Sequence, residues 1–423
     1  MKYVIAGAGP AGVIAAETLR KADPRGSIVL IGDEPEAPYS RMAIPYVLSG
    51  GIGEDGTHLR KTPGHFKDLR IRVLSDRVAK VSPAKGEVIL AGGAKTPYAR
   101  LLIATGSRPV KPSVPGLNLT GVHHCWTLAD ARNIAALAQP GADVVLMGAG
   151  FIGCIILESL IARGVNLTVI ELQDRMVPRM MNETAGNMLK SWCQKKGVAV
   201  KTETRVTGVK NSNRGGLTVH LNKGRAVKAA LVVVATGVTS NTGFLKGSSV
   251  RMQDGGVAVD DHLQSSVDGI YAAGDVACGP DFSGGWAVHA IQPTAAEHGR
   301  IAAINMAGGD AKYQGSLIMN VLDTAGLISA SFGNWPGVKG GDIAESVDKN
   351  HFRYTRLAFE DDKLIGALVL GMGDHVGVIR GLIQSRVSLG SWKKKLIADP
   401  HRMMEAYVAL GPAPAPAAAP AAA

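Results

Sequence analysis

The chain is poor in cysteine: Cys125, Cys154, Cys193 and Cys278 are the four in 423 residues, with no CxxC pair and no metal-like spacing. This excludes a disulfide framework and a protein-borne iron–sulfur cluster, predicts no metal site, and points to a reducing compartment. A concentrated basic stripe is also missing. The formal net charge is +11, yet Lys and Arg are scattered, the runs being Lys393-Lys394-Lys395 and Lys195-Lys196. Nucleic-acid binding would want the stripe, so the charge fits steering of an acidic protein or an anionic cofactor; a solvated surface explains any single run equally well. Aromatic residues are few, at 5%. No long apolar run is free of interruption: Val144 to Ala162 holds three spaced glycines and Glu158, which suits a buried strand and helix better than a membrane span. The first strand begins at residue 2, so no signal peptide is expected and the cytoplasm is the expected compartment.

Glycine, by contrast, is abundant at 53 residues, and the apolar fraction is 46%. Both suit buried parallel strands joined by tight turns, in a chain long enough for two or three domains. The stretch Gly7-Ala8-Gly9-Pro10-Ala11-Gly12 follows the apolar run Tyr3 to Ala6. Its first glycine serves a tight strand-to-helix turn, its second lets backbone approach a pyrophosphate, and its third allows close helix–strand packing. The helix that starts here aims its amides and positive dipole end at the anion. Ser27 to Ile31 reads as the next parallel strand, and Asp33 and Glu34 stand about twenty residues past the last glycine, where a carboxylate accepts bonds from an adenosine ribose.

Short strands are expected at Leu69–Val73 and Glu87–Leu90, and a buried strand at Arg100 to Ala104 stopped by Thr105-Gly106. Arg108 to Gly116 reads as a linker. The chain then repeats its opening. Asp143 to Met147 is a strand, Gly148-Ala149-Gly150-Phe151-Ile152-Gly153 is a second cradle, and Asn166 to Ile170 is a second strand ending at Glu171. Two complete fingerprints call for two dinucleotides, or a flavin and a nicotinamide. Glu171 can hold a free ribose 2′-hydroxyl and would repel a 2′-phosphate, favouring NAD over NADP; Arg175 either meets a phosphate or caps local carboxylates such as Asp174. Leu231 to Gly237 mirrors the run ending at Gly106, and Gly269 to Asp275 is a strand whose terminal carboxylate sits on a glycine turn.

Five ordered motifs, GAGPAG, ATG at 104–106, GAGFIG, ATG at 235–237 and AAGD at 272–275, resemble those of the two-dinucleotide-binding-domain flavoproteins, the family of glutathione reductase and of rubredoxin, ferredoxin and nitrite reductase flavin modules. The likeness covers residues 1 to about 310. It implies an α/β fold: an FAD domain of residues 1–112 and 243–315, an inserted NAD domain of 113–242, and an α+β C-terminal interface domain of 316–411, before a disordered tail at 412–423. By resemblance Gly7, Gly9, Pro10, Ala11, Gly12, Asp33 or Glu34, Arg41, Thr105, Gly106, Gly274 and Asp275 would hold FAD. Gln292, Pro293 and Thr294 would approach the flavin ring, Gly148, Gly150, Phe151, Ile152, Gly153 and Glu171 would serve NAD, and Gly237 is a further cofactor-binding candidate.

The departures choose the branch. Disulfide reductases of this family carry a redox cysteine before Leu-Pro-Tyr or as an early pair. Here Met42 precedes Ile44-Pro45-Tyr46, and no cysteine occurs before Cys125; a thioether forms no thiolate. Tyr39-Ser40-Arg41 resembles the Tyr-Asp-Arg loop of reductases that feed iron–sulfur proteins. Tyr46 stands where those often have a lysine, and Ile155 where relatives often have a nicotinamide-facing glutamate, with Glu158 one turn along. No side chain is therefore assigned a certain catalytic role; the flavin would do the chemistry.

The expected function is electron transfer between NAD(H) and an iron–sulfur protein or subunit. The overall sequence most resembles the flavoprotein subunit of NAD-linked 2-oxoacid oxidoreductases of the phenylglyoxylate dehydrogenase type, which implies a hetero-oligomeric complex. The alternatives are a stand-alone NADH:rubredoxin or ferredoxin reductase, an NADH:quinone reductase, an NADH oxidase or disulfide reductase, and a non-catalytic flavin scaffold. Cys278 could be a flavin-side thiol or a small buried hydrophobe. His123, His124 and His289 lack a carboxylate or Cys partner at metal spacing, which favours structural roles. Trp286 either borders the flavin pocket or fills core. Gly381 to Leu410 could form an amphipathic helix, but Asp399-Pro400 interrupts it and no membrane contact is expected.

Overall fold

The structure, a computed structural model, describes residues 1–411 except Arg214 and His375; the tail expected to be disordered lies outside the described residues. The chain divides into two compact units. The first holds 1–112, 124–135 and 237–316, the second 113–123, 136–236 and 317 onward. Three helices matter most below: α1 (Pro10–Ala22), α2 (Phe151–Ala162) and α3 (Gln292–Met306).

In the first unit a five-stranded sheet runs in the order Ile270–Ala272, Arg100–Ile103, Lys2–Ala6, Ser27–Gly32 and Ile71–Ser75, parallel throughout. Val4, Ile5, Leu30, Leu101, Leu102 and Ile103 are essentially inaccessible, as strands covered on both faces require. Each such side chain contributes about 1.5–3 kcal/mol on burial. The last strand starts at Ile71 rather than Leu69. Leu69 closes the short helix His65–Asp68, and Arg70 turns the chain at φ 51°, so neither is free to extend.

In the second unit four parallel strands run in the order Ala199–Lys201, Asn166–Ile170, Asp143–Met147 and Leu231–Val234. A five-stranded antiparallel sheet follows, ordered Met319–Thr324, Leu327–Gly333, Lys363–Leu370, Arg353–Glu360, Asp342–Asp348. The Thr324–Gly326 turn of this sheet is stapled to the same unit's helices: Glu158 on α2 accepts the Ala325 N–H, and Trp192 Nε1 donates to the carbonyls of Thr324 and Ala325, each at 3.1 Å.

The expected helical run at 381–410 is three helices, Val376–Ser385, Ser391–Ala398 and Met403–Leu410. Gly390 and Asp399-Pro400 break it, and the Asp399 carboxylate caps the turn that follows by accepting the His401 N–H at 3.0 Å. No helix among the described residues is long and apolar enough to cross a membrane.

Candidate active site

The first cradle is built by backbone crowding. Gly7 turns at φ 121°, and a Cβ there would lie 2.0 Å from the Ala104 carbonyl oxygen; a Cβ on Gly12 would lie 1.9 Å from that of Gly7. Only hydrogen fits at either place. Gly9 differs: a Cβ there would meet nothing within 4 Å. Its bareness answers no protein neighbour and leaves the backbone open where α1 begins. Gly9 caps α1 without a side-chain bond, and Pro10 takes an early helical position. The amides of the first turn therefore face outward, the arrangement that binds phosphate. Ala11 is buried.

The loop after the second strand supplies charge. Glu34 takes Arg41 Nη2 on one carboxylate oxygen at 2.5 Å and the Tyr39 hydroxyl on the other at 2.6 Å. Arg41 also donates to the Trp126 carbonyl at 2.6 Å and lies 5.6 Å from the centroids of the Tyr39 and Trp126 rings. Asp33 is exposed and makes no side-chain contact of this kind. Of the two expected carboxylates, Glu34 is thus the organised one.

The two ATG-type turns are locked by different partners. Thr105 Oγ1 donates to the Asn241 carbonyl at 2.8 Å and Asn241 Nδ2 returns a bond to the Thr105 carbonyl at 2.9 Å. Gly106 (φ 65°) accepts the Asn241 N–H at 2.9 Å, and Gly237 (φ 105°) accepts that of Val110 at 2.9 Å. A Cβ on Gly106 or Gly237 would meet nothing within 4 Å. Gly237 lies in the first unit, not with the second cradle. Asp275 sits on the turn after Gly274, with its Oδ2 accepting from Ser107 Oγ at 2.7 Å and its carbonyl from Ser240 Oγ at 2.7 Å. Burial pushes its pKa up, against the opposing pull of the Ser107 bond.

Gln292, Pro293 and Thr294 open α3. Ser40 bonds Gln292 Oε1, and Thr294, 2% exposed, bonds the Ser316 hydroxyl. The Ser40 bond joins the loop that carries Arg41 to the start of α3. Tyr46 is 61% exposed and Met42 48%, so both stand in the open. His289 acquires a carboxylate neighbour that spacing did not reveal: its Nε2 lies 3.0 Å from Asp281 Oδ2, both side chains buried, without aligning into a hydrogen bond. Trp286 is half-exposed, its indole N–H on the Val259 carbonyl at 3.0 Å.

The second cradle repeats the crowding. A Cβ on Gly148 would lie 2.4 Å from the Ala235 oxygen and one on Gly153 2.2 Å from that of Gly148, while Gly150 again has nothing within 4 Å. Phe151 and Ile152 begin α2, and Ile155 is half-buried along it. Glu171 is 7% exposed and bridges the cradle and its own loop, accepting the N–H of Ala149 at 2.6 Å and of Gln173 at 2.8 Å. A carboxylate offers about four acceptor sites, so two remain for a sugar. Arg175 is committed to Asp174, at 2.8 and 2.9 Å, and to the Met181 carbonyl at 3.0 Å. Glu158 serves the hairpin turn rather than α2's outward face.

The four cysteines are buried and form no disulfide. Burial pushes Cys125 and Cys193 up to about 12 and raises Cys154 and Cys278 as well. None is a thiolate near neutrality, and Cys278, fully buried, directs its thiol at the Asp254 carboxylate at 3.9 Å. Sequence reasoning missed Ser107, Asn241, Trp126 and His298, whose partners lie far along the chain.

Residues 1–311 match the pyridine nucleotide-disulphide oxidoreductase family. The chain is 28% identical over 403 residues, 94% of its length and 95% of the relative's, to the NADH-dependent phenylglyoxylate dehydrogenase subunit epsilon of Aromatoleum evansii. It is 34% identical over 281 residues, 66% of its length and 68% of the relative's, to a probable ferredoxin reductase, CtmF, of Castellaniella defragrans. A chain of the covalent putidaredoxin reductase–putidaredoxin complex shares the fold at TM-score 0.88, covering 97% of this chain and 98% of that one at 22% identity. The doubled cradle, the parallel sheets beneath it and the match across three quarters of the sequence agree: this chain belongs to the pyridine nucleotide-disulphide oxidoreductase family.

Proposed function

We propose that the chain is an FAD-dependent oxidoreductase that passes electrons between NAD(H) and an iron–sulfur protein or subunit. In this reading residues 1–112 and 243–315 form the FAD domain, 113–242 the NAD domain and 316–411 an interface domain. The observation that carries it is the bareness of Gly9 and Gly150: each stands at a helix start with open space where a phosphate would lie, while its flanking glycines are demanded by the protein's own backbone. Both cradles therefore fit a dinucleotide.

Gly7, Gly9, Gly12 and the first amides of α1 would hold the FAD pyrophosphate, and Glu34, braced by Arg41 and Tyr39, the adenosine end. Thr105, Gly106, Gly274, Asp275 and the start of α3 would hold the rest. Gly148, Gly150, Gly153 and Glu171 would hold NAD, and Glu171, with two acceptor sites left and like-charge repulsion toward a 2′-phosphate, would select it over NADP. When bound, FAD supplies the interconversion of two-electron and one-electron carriers. This chain's contribution is to orient the reactants and keep thiols out of the reaction, since its cysteines are buried and protonated.

The relative from Aromatoleum evansii, matched over nearly its full length, supports membership of a complex with an NADH-linked 2-oxoacid dehydrogenase activity. The match to a probable ferredoxin reductase supports the stand-alone reading. The net charge of +11 suits an acidic partner with salt-sensitive docking, and a cytoplasmic setting suits reduced thiols. Native purification with iron analysis separates the two: co-purifying iron–sulfur subunits support the complex, and a partnerless yellow protein that reduces an added ferredoxin supports the reductase. Anaerobic mixing with NADH that leaves the flavin absorbance unbleached would overturn both.

A further inference from the structure

Helix α3 buries an imidazole that neither cradle requires. His298 is 1% exposed, and its Nδ1 accepts the Gly274 N–H at 3.3 Å. Accepting at Nδ1 assigns the proton of the neutral ring to Nε2, which is buried without a hydrogen-bond partner. The Tyr313 ring meets the imidazole edge-on, centroids 4.4 Å apart. Burial, and secondarily the neighbouring His289, press the His298 pKa down to about 3.

Gly274 occupies the left-handed region at φ 76° and precedes Asp275. A Cβ on it would come within 3.3 Å of Ala295 Cβ and 3.4 Å of Ala11 Cβ; one on Gly299, beside His298, would lie 2.2 Å from the Ala11 carbonyl oxygen. Helix α1, helix α3 and this turn are therefore in close mutual contact, and His298 is the side chain that reaches from α3 to the turn's backbone. Three side-chain hydrogen bonds hold the turn: Ser107 on the Asp275 carboxylate, Ser240 on the Asp275 carbonyl and His298 on the Gly274 amide. Two of these groups titrate, the imidazole and the Asp275 carboxylate, whose pKa burial raises; the imidazole is the one that bonds the Gly274 amide. A protonated ring carries two N–H donors and no acceptor, so it would face the Gly274 N–H donor to donor. The ionisable groups around it are His289, itself beside Asp281, Tyr313 and the turn's Asp275; α1 brings Ala11.

We infer that His298 is a positioning residue for flavin binding: its neutral imidazole fixes the Gly274 amide and so sets the Asp275 carboxylate, and protonation of the ring releases that turn. This rests on the reading of the first cradle as the flavin site. An asparagine or glutamine could accept the same bond at any pH, so a histidine here makes flavin retention sensitive to acid.

The test uses the full chain as wild type, His298→Gln and His298→Leu. FAD dissociation is followed by flavin fluorescence from roughly pH 8 down to pH 4, and hydrogen exchange at the Gly274 amide is measured in FAD-free protein. His298→Leu is expected to weaken FAD binding about tenfold at neutral pH, the worth of one hydrogen bond, and to speed Gly274 exchange. His298→Gln should bind near wild type at neutral pH but lose affinity less steeply on acidification, by up to about tenfold per pH unit. Wild-type affinity and exchange in His298→Leu, or parallel acid profiles for wild type and His298→Gln, overturn the inference. If His298→Leu does not fold, the His298→Gln profile decides. Failure of the wild type to bind FAD at all sinks the flavin reading instead, and Gly274 exchange in the FAD-free variants then still tests the bond.

Discussion

The two glycine cradles share one geometry and part ways over their carboxylates. In each, the first and third glycines are fixed by backbone oxygens near 2 Å from where a Cβ would stand, and the second faces empty space. Pairing also matches, with Ala6 opposite Ile31 and Met147 opposite Ile170. One residue on, however, the second cradle has Glu171 and the first has Gly32. The first recruits Glu34 two residues later and holds it with side chains of the same loop, Arg41 and Tyr39, whereas Glu171 is held by backbone amides, of Ala149 in the cradle and of Gln173. The turn is thus copied as backbone while the sugar-facing charge is rebuilt each time, which is why a spacing rule finds the cradle and blurs the carboxylate.

The comparison breaks most visibly at the third glycines. Gly12→Ala and Gly153→Ala each push a methyl into a carbonyl, and destabilisation of about 3 kcal/mol or more is expected, seen as a lowered denaturation midpoint without any ligand. Gly9→Ala and Gly150→Ala should leave that midpoint unchanged and instead weaken binding by about tenfold to a hundredfold as phosphate-facing amides are obstructed. Gly9→Ala should strip flavin absorbance from the purified protein, and Gly150→Ala should keep the absorbance but raise the NADH dissociation constant. A Gly9→Ala protein with a full flavin spectrum would show that the two cradles do not divide the cofactors in this way.

The carboxylates give the next effect. Glu171→Gln should raise the KM for NADH about tenfold and narrow the NADH/NADPH ratio, while Arg41→Ala should weaken FAD and leave KM for NADH alone; steady-state kinetics with both nucleotides and a flavin titration check the pair. Asp275 offers a smaller, pH-dependent contrast. Its folded pKa is raised by burial, so ionising it opposes folding, and stability is lost as pH climbs from the ordinary aspartate value through the raised one. Asp275→Asn should therefore raise the melting temperature of the FAD-free protein by about 2–4 °C at neutral pH and flatten its dependence across the mildly acidic range, even as flavin retention drops; a calorimetric series against pH reads both. The smallest effect expected is that of Cys278→Ala, which should change NADH-dependent reduction of an iron–sulfur acceptor by less than about twofold, since a protonated buried thiol has no redox part to play.

What could be read in the sequence was whatever repeats locally. The cradles, their strands and the missing cysteine before Tyr46 are patterns within a few residues, and so are the glycines that stop Arg100–Ile103 and Leu231–Val234. What could not be read joins distant segments. Ser107 meets Asp275 across 168 positions and Thr105 meets Asn241 across 136, and no periodicity encodes such a pairing. The position of Glu158 one turn past Ile155 on α2 is visible in the sequence, whereas the Ala325 amide it serves lies 167 residues away. Gly32 was invisible for a different reason: a count of about twenty residues from the glycines does not say which residue ends the strand.

The burial of the four thiols reaches beyond the choice of reaction. A protein that holds reduced flavin in air is exposed to peroxide made in its own vicinity, and peroxide attacks thiolates first, climbing from sulfenic acid to irreversible oxides. With Cys125, Cys154, Cys193 and Cys278 shut inside and protonated, that ladder has no accessible first rung. Exposed methionines, Met42 and Met1 among them, are left to take such damage as sulfoxides, a lesion that methionine sulfoxide reductases can reverse.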